Sequence, residues 1–282
     1  MKTYRQMLLI VWFCACLFPR FSKAADTETN IDKPFSIIPY QPTYLLPFYY
    51  TSNASSFDQF GKSIPKDSSE ISVKFQISLK SPILKPLFSY DNTLFIGYTQ
   101  QSYWQAYTYS PFLKTNDFQP ELFWENSVEL DLPMGWYLQT LTPGVVHHSN
   151  GRGSALERSW NRIYVEAQFL SENWLIGVKP WLILPESSIS LNPDIEHYLG
   201  NGALLLSHKF EDHVFAINAY AHIFKAPYRV SGQFTWSFPI SNDVKGYVLV
   251  FSGYGQSLLE YNHRTHGLGL GIVFHDWMFT PF

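Results

Sequence analysis

The chain has 282 residues, enough for one large domain or two ordinary ones. Charged residues make up 15% against a usual ~25%, and Phe, Tyr and Trp reach 18%, the reverse of a disordered composition. With 23 acidic and 20 basic residues the formal charge is −3, so the chain lacks the basic excess that favours a nucleic-acid backbone, and no nucleic-acid partner is expected.

Lys2 and Arg5 lead into the uncharged run Met7 to Phe18, and Ser22-Lys23-Ala24 ends in a small-x-small pattern. Residues 1–24 therefore read as an export signal cleaved after Ala24. The apolar run is shorter than the ~20 residues that a membrane-spanning helix needs. Cys14 and Cys16 are the two cysteines and both fall inside it, so the exported chain is expected to have no disulfide and no thiolate metal site. Loss of Lys2, Arg5, Arg20 and Lys23 leaves 16 basic against 23 acidic residues, a charge of −7. Residues 25–64, with Pro34, Pro39, Pro42 and Pro47, read as a periplasmic lead-in without a regular spanning strand.

Period-two alternation follows. Ile71, Val73, Phe75, Ile77 and Leu79 alternate with Ser72, Lys74, Gln76, Ser78 and Lys80. The segment Trp174 to Pro185 is too short for a membrane helix and is broken by Lys179 and Pro180. Alternation returns in Phe215, Ile217, Ala219, Ala221 and Ile223, and again in Leu268, Leu270, Ile272 and Phe274 with glycines between them. Turn signals at Asn150-Gly151, Asn201-Gly202, Lys209 to Asp212 and Ser241 to Asp243 divide the strands. About 225 residues from Asp58 onward allow on the order of a dozen strands at roughly 10 residues each plus a connection.

A soluble barrel buries its apolar row, and a membrane barrel turns that row outward. Export, aromatics near strand ends (Tyr103-Trp104, Trp136-Tyr137, Trp277 to Phe279) and the terminal Phe282 favour the membrane. The expected fold is all-β: a transmembrane antiparallel β-barrel of about 12 strands over residues 65–282, following the Pro-rich lead-in.

The stretch that bears on chemistry is His147-His148-Ser149-Asn150-Gly151-Arg152, followed by Arg158-Ser159-Trp160-Asn161-Arg162. A serine becomes a nucleophile when an imidazole accepts its proton and a third group fixes the tautomer of that imidazole. On a strand, His147 and Ser149 share one face, and His148 points to the other. Asn161 shares parity with Ile163, Val165, Ala167 and Phe169, and His147 with Leu141 and Val145. A hairpin centred near Ala155 would set Ser149 opposite Asn161, with His147 on the diagonal. Three polar groups on an apolar outer surface suit a site that acts on lipid.

These motifs, with Phe95 to Gln100 and Gly246-Tyr247 to Gly253-Tyr254-Gly255, resemble the signature of the outer-membrane phospholipase A family over about Ile71 to Phe274. The resemblance implies a twelve-stranded barrel in the outer membrane of a two-membrane bacterium, hydrolysing acyl esters of glycerophospholipids and lysophospholipids as a phospholipase A1/A2. It assigns Ser149 as nucleophile, His147 as general base and Asn161 as orienting group. It also implies Ca2+ and a homodimer as the active form. By resemblance, calcium is held by the backbone carbonyl of Arg152, by the residue at 157 and by a serine from the Tyr107 to Pro111 loop of a second subunit. Position 157 is Glu157, where the family pattern leads one to expect a hydroxyl, and Ser110 is the loop serine chosen. Gln100 continues the row Leu94, Ile96, Tyr98 and is expected at the dimer interface, because an amide facing hydrocarbon requires a partner. The alternative from another class is a non-enzymatic porin, which requires no serine on the lipid face.

Overall fold

Strand side chains alternate, so a chain with one apolar and one polar row per strand can close around either row. The computed structural model describes residues 35–54, 70–84, 92–153, 156–184, 191–222, 229–241 and 244–278; the export signal at 1–24 and the terminal Phe282 lie outside them. The polar row lies inside. Ile96, Leu122, Val145, Ile163, Leu204, Ile217 and Leu268 are exposed on the outer surface, while Lys74, Thr99, Asp117, Glu121 and Thr235 are buried in the lumen. This is the inverse of a soluble barrel.

The strands are β1 (Ile38–Pro39), β2 (Thr43–Ser52), β3 (Ile71–Leu84), β4 (Asn92–Gln105), β5 (Phe112–Leu132), β6 (Trp136–Ser149) and β7 (Ser159–Leu170). They continue with β8 (Trp174–Leu184), β9 (Gly202–Phe210), β10 (His213–Ala221), β11 (Val230–Pro239), β12 (Lys245–Gly253) and β13 (Thr265–His275). Each of β2 to β13 pairs antiparallel with its sequence neighbours, and β2 also pairs with β13, which closes a ring of twelve. β1 is the extra strand, lying along Lys80 and Leu79 of β3 outside that ring. Among the described residues no helix is long and apolar enough to cross a membrane; the crossing is made by strands.

The strand β2 corrects one expectation. Thr43–Ser52 falls within the stretch read as a lead-in without a spanning strand, yet it pairs with β13 on one side and β3 on the other. Pro47 is tolerated because both ladders shift register beside it. Pairing to β13 jumps between Leu45 and Phe48, and pairing to β3 between Leu46 and Tyr49. A residue without an N–H fits where the ladder is already interrupted.

The described chain ends and the tight turns Ser171–Asn173 and Glu211-Asp212 share one end of the barrel, the periplasmic end in a membrane barrel. Aromatic groups gather there on the outer surface. Trp174 stacks on His208 at 4.1 Å, Trp236 packs on Phe238 at 4.7 Å, and the Trp236 indole donates to His213 Nδ1 at 3.2 Å. Amphipathic rings of this kind suit the headgroup level.

The lumen is held by paired charges: Lys80–Glu125 (2.6 Å), Lys114–Glu260 (3.2 Å), Lys179–Glu166 (3.2 Å) and Lys245–Asp276 (2.9 Å). At the opposite mouth, residues 256–261 turn inward and are buried. There the Leu258 amide donates to Asp117, the Gln256 amide donates to Thr51, and the Tyr103 hydroxyl donates to the Gln256 carbonyl. This obstructs the mouth, which argues against the open channel of a porin.

Candidate active site

β6 rises to the mouth and ends at Ser149, and β7 descends from Ser159. His147 stands exposed on the outer face in the row of Leu141 and Val145. Asn161 shares the outer face of β7 with Ile163 and Val165, while Trp160 and Tyr164 are buried inside. The two rows meet on the lipid side, as the parity of the sequence predicts.

The register differs from that prediction by two residues. His147 lies directly opposite Asn161, and Ser149 is opposite Ser159 rather than Asn161. The hairpin is therefore centred on position 154 instead of 155. Buried Asn150 accounts for the shift by tying the loop from within. Its backbone amide donates to the Arg158 carbonyl at 3.0 Å, and its side-chain oxygen accepts from the amides of Arg152 and Arg158. Its side-chain amide in turn donates to the Leu156 carbonyl at 2.7 Å. Gly151 turns the chain at a φ of 62°, and a Cβ there would come within 2.6 Å of the Phe118 ring.

The new register brings the imidazole and the amide closer than a diagonal would. His147 Nδ1 and Asn161 Oδ1 are 2.7 Å apart. An amide oxygen only accepts, so Nδ1 carries the proton and Nε2 is left as the basic nitrogen. Ser149 is half-buried two residues along the same face. Among the described contacts its hydroxyl makes no bond to His147, a looseness common before substrate binds. A neutral orienting amide suits this surface, since an ionised carboxylate facing hydrocarbon would be costly.

The residues expected around calcium lie in the mouth loops. Arg152 folds its guanidinium back onto the carbonyls of Leu113 and Lys114, fastening the β6–β7 loop to the start of β5. Glu157 is exposed, and its carbonyl accepts from the Arg158 guanidinium at 2.6 Å. Ser110 is exposed in the β4–β5 loop, where its carbonyl accepts from the Thr108 hydroxyl at 3.0 Å. Among the described residues there is no cluster of three or more His, Cys, Asp or Glu side chains suited to a metal. A main-chain carbonyl, one carboxylate and a hydroxyl from a second copy are all oxygen donors, and that set fits a hard cation.

Gln100 lies on the outer face of β4 beside exposed Ile96 and Tyr98. The Tyr98 hydroxyl donates to its oxygen at 2.8 Å, and its amide donates to Ser102 Oγ at 3.0 Å. Among the described residues these two bonds leave one N–H and one lone pair of the amide.

Of two supports of the hairpin, sequence reasoning missed the first, and for the second it placed His148 on the inner face but did not identify its partner. Asn192, buried at the edge of β7, accepts from the Ser159 amide at 3.0 Å and donates to the Ser159 carbonyl at 2.8 Å, standing in for a strand where β8 has ended. Its loop carries a one-turn helix, α1 (Ile195–Leu199), and is anchored by the Tyr261 hydroxyl on Asp194 at 2.5 Å. Burial, with that carboxylate bond, pushes the Tyr261 phenol up to about 12, so it remains a donor at ordinary pH. The Asn192-Pro193 pair is the one sequence signal that could have pointed here, and an Asn-Pro pair marks a turn without naming its partner. The second support is the lumen-side contact of His148 with Trp160, whose indole donates to His148 Nδ1 at 3.1 Å.

The chain matches the family model described as Phospholipase A1 over residues 21–274. It is 32% identical over 276 residues to a phospholipase A1 of Klebsiella pneumoniae, covering 91% of this chain and 88% of that one. The solved structure of outer membrane phospholipase A from Escherichia coli aligns with a TM-score of 0.79 and 30% identity, over 86% of this chain and 100% of that one. A Salmonella typhi outer membrane phospholipase, solved as a dimer with bound calcium, aligns with a TM-score of 0.79 and 28% identity, over 87% and 95% of the two chains.

Proposed function

The chain belongs to the phospholipase A1 family, and from that premise we propose that this outer-membrane enzyme hydrolyses its ester substrate through Ser149, His147 and Asn161. The observation that carries the proposal is the 2.7 Å contact between His147 and Asn161 on the lipid-facing surface, two residues from Ser149.

Ser149 Oγ attacks the ester carbonyl carbon while His147 Nε2 takes the hydroxyl proton. Asn161 accepts the Nδ1–H bond, which fixes the tautomer of the neutral ring and holds the ring while it is charged. Collapse of the tetrahedral intermediate breaks the acyl C–O bond, and His147 returns the proton to the lysophospholipid oxygen. Water then gives a proton to His147 and attacks the acyl carbon, and Ser149 leaves with that proton as the fatty acid departs. Leu141, Val145, Ile163 and Val165 form the apolar outer rows along which the acyl chain lies, so it need not leave hydrocarbon to react.

Calcium would be held by the Arg152 carbonyl and the Glu157 carboxylate, with Ser110 of a second copy, and would supply positive charge that polarises the ester carbonyl. Gln100, with two hydrogen-bonding positions left beyond Tyr98 and Ser102, is the proposed interface amide of that dimer. The Salmonella typhi relative, a calcium-bound dimer, supports both readings.

The test is phospholipid hydrolysis by the purified barrel, with and without a chelator, beside Ser149→Ala. Release of fatty acid that stops with chelator and is absent in Ser149→Ala is expected. Undiminished release by Ser149→Ala would overturn the assignment.

A further inference from the structure

The outer-face pair His147–Asn161 has an inner-face neighbour on the next rung of the same ladder. His148 lies opposite Trp160, as His147 lies opposite Asn161 and Ser149 opposite Ser159. The lumen-side rung is closed by a side-chain bond, Trp160 Nε1–H to His148 Nδ1 at 3.1 Å, with the rings 6.3 Å apart and tilted by 38°. Because Nδ1 accepts, the proton of neutral His148 is on Nε2, which is buried with no hydrogen-bond partner among the described residues. Trp160 is itself fixed on two further sides. The Arg162 guanidinium lies 4.1 Å from its ring, and Trp181 meets it edge-on at 6.2 Å. Three inward groups thus hold the indole immediately beside the backbone of Asn161.

We propose that His148 is a positioning residue: its bond to Trp160 sets the alignment of β6 and β7 that brings Asn161 within reach of His147. The inference rests on the triad reading given above. On the outer face the His147–Asn161 bond lies beside lipid, and the rungs next to it bear on whether its short geometry persists. Removing the acceptor at 148 leaves the indole N–H buried and unsatisfied, which favours rotation of Trp160 and a shift of the adjacent Asn161. Substrate approaches from the opposite face and does not touch His148. The effect therefore falls on turnover and leaves substrate binding unaltered.

The experiment uses the full mature barrel in detergent micelles with calcium. His148→Leu should lower kcat about tenfold with KM within about twofold, and His148→Gln, whose amide oxygen restores an acceptor, should recover most of the loss. In the Asn161→Ala background, His148→Leu should cost little more, because the two substitutions remove the same alignment. Trp160→Phe removes the indole N–H while keeping a ring against Arg162 and Trp181. It should reproduce the kcat loss, and it decides the matter if His148→Leu yields no folded, heat-modifiable barrel. Wild-type kcat in a folded His148→Leu or Trp160→Phe barrel would overturn the proposal. So would failure of His148→Gln to recover activity, or a loss that multiplies in full with Asn161→Ala. Activity retained by Ser149→Ala would instead overturn the triad reading beneath it.

Discussion

His147 and Asn161 face one another across the β6–β7 ladder, Nδ1 to Oδ1 at 2.7 Å, with hydrocarbon-facing rows on either side. In the proposed triad a neutral amide would perform, on a surface hostile to charge, the orienting task that a buried carboxylate performs in a Ser-His-Asp triad. Asn161→Ala should leave the barrel folded and lower kcat roughly 10- to 100-fold, less than loss of the nucleophile, because it removes orientation and keeps the attacking group. Steady-state hydrolysis of a short-chain phospholipid measures it. Unchanged kcat would reduce the site to a Ser149–His147 dyad.

Gln100→Leu should weaken association of barrels in detergent and lower activity at dilute enzyme, since it removes the amide positions left beyond Tyr98 and Ser102. Sedimentation in density-matched detergent gives the monomer–dimer constant. A constant equal to wild type would place Gln100 at the headgroup level, bonded only along its own strand.

Glu157 is an exposed carboxylate in the β6–β7 loop. Glu157→Gln should shift the calcium titration of activity to higher concentration by removing one negative charge, with no change in melting because the loop lies above the barrel. Glu157→Ser should give a third, distinct curve. A calcium site shared between copies also links binding to association, so calcium should tighten the dimer by the factor with which dimerisation tightens calcium. Three superimposable titrations would remove Glu157 from the ligand set.

Lys114 and Glu260 form a buried pair at 3.2 Å where the mouth loop enters the lumen. Glu260→Gln leaves an ammonium without its acid in a closed site, which costs on the order of 3–5 kcal/mol when a buried pair is broken. Heat-modified mobility on gels should show a lower unfolding temperature, with the loop around Leu258 more open to protease. Unaltered unfolding would mean that the other contacts of Lys114 suffice.

Much of this was legible in the sequence. Alternation identified β3, β10 and β13, and the parity of Asn161 with Ile163 and Val165 placed it on the outer surface where it stands. What escaped has physical reasons. Pro47 hid β2, because a local rule excludes proline from ladders while a register shift on both neighbours admits it. The hairpin centre was missed by one position, because Asn150 closes the loop through its own side chain and no spacing rule reports that. The clamp of Asn192 on Ser159 joins positions 33 apart, and nothing local to Asn192 says which strand it will meet.

The most direct test of the central claim is covalent labelling with a serine-reactive sulfonyl fluoride, followed by peptide mass mapping. The account predicts one adduct per active chain, on Ser149, formed in parallel with loss of hydrolysis. Labelling should be slowed by His147→Ala, which removes the base, and abolished by Ser149→Ala. An adduct on another serine that tracks inactivation, or full inactivation of Ser149→Ala by the reagent, would contradict it.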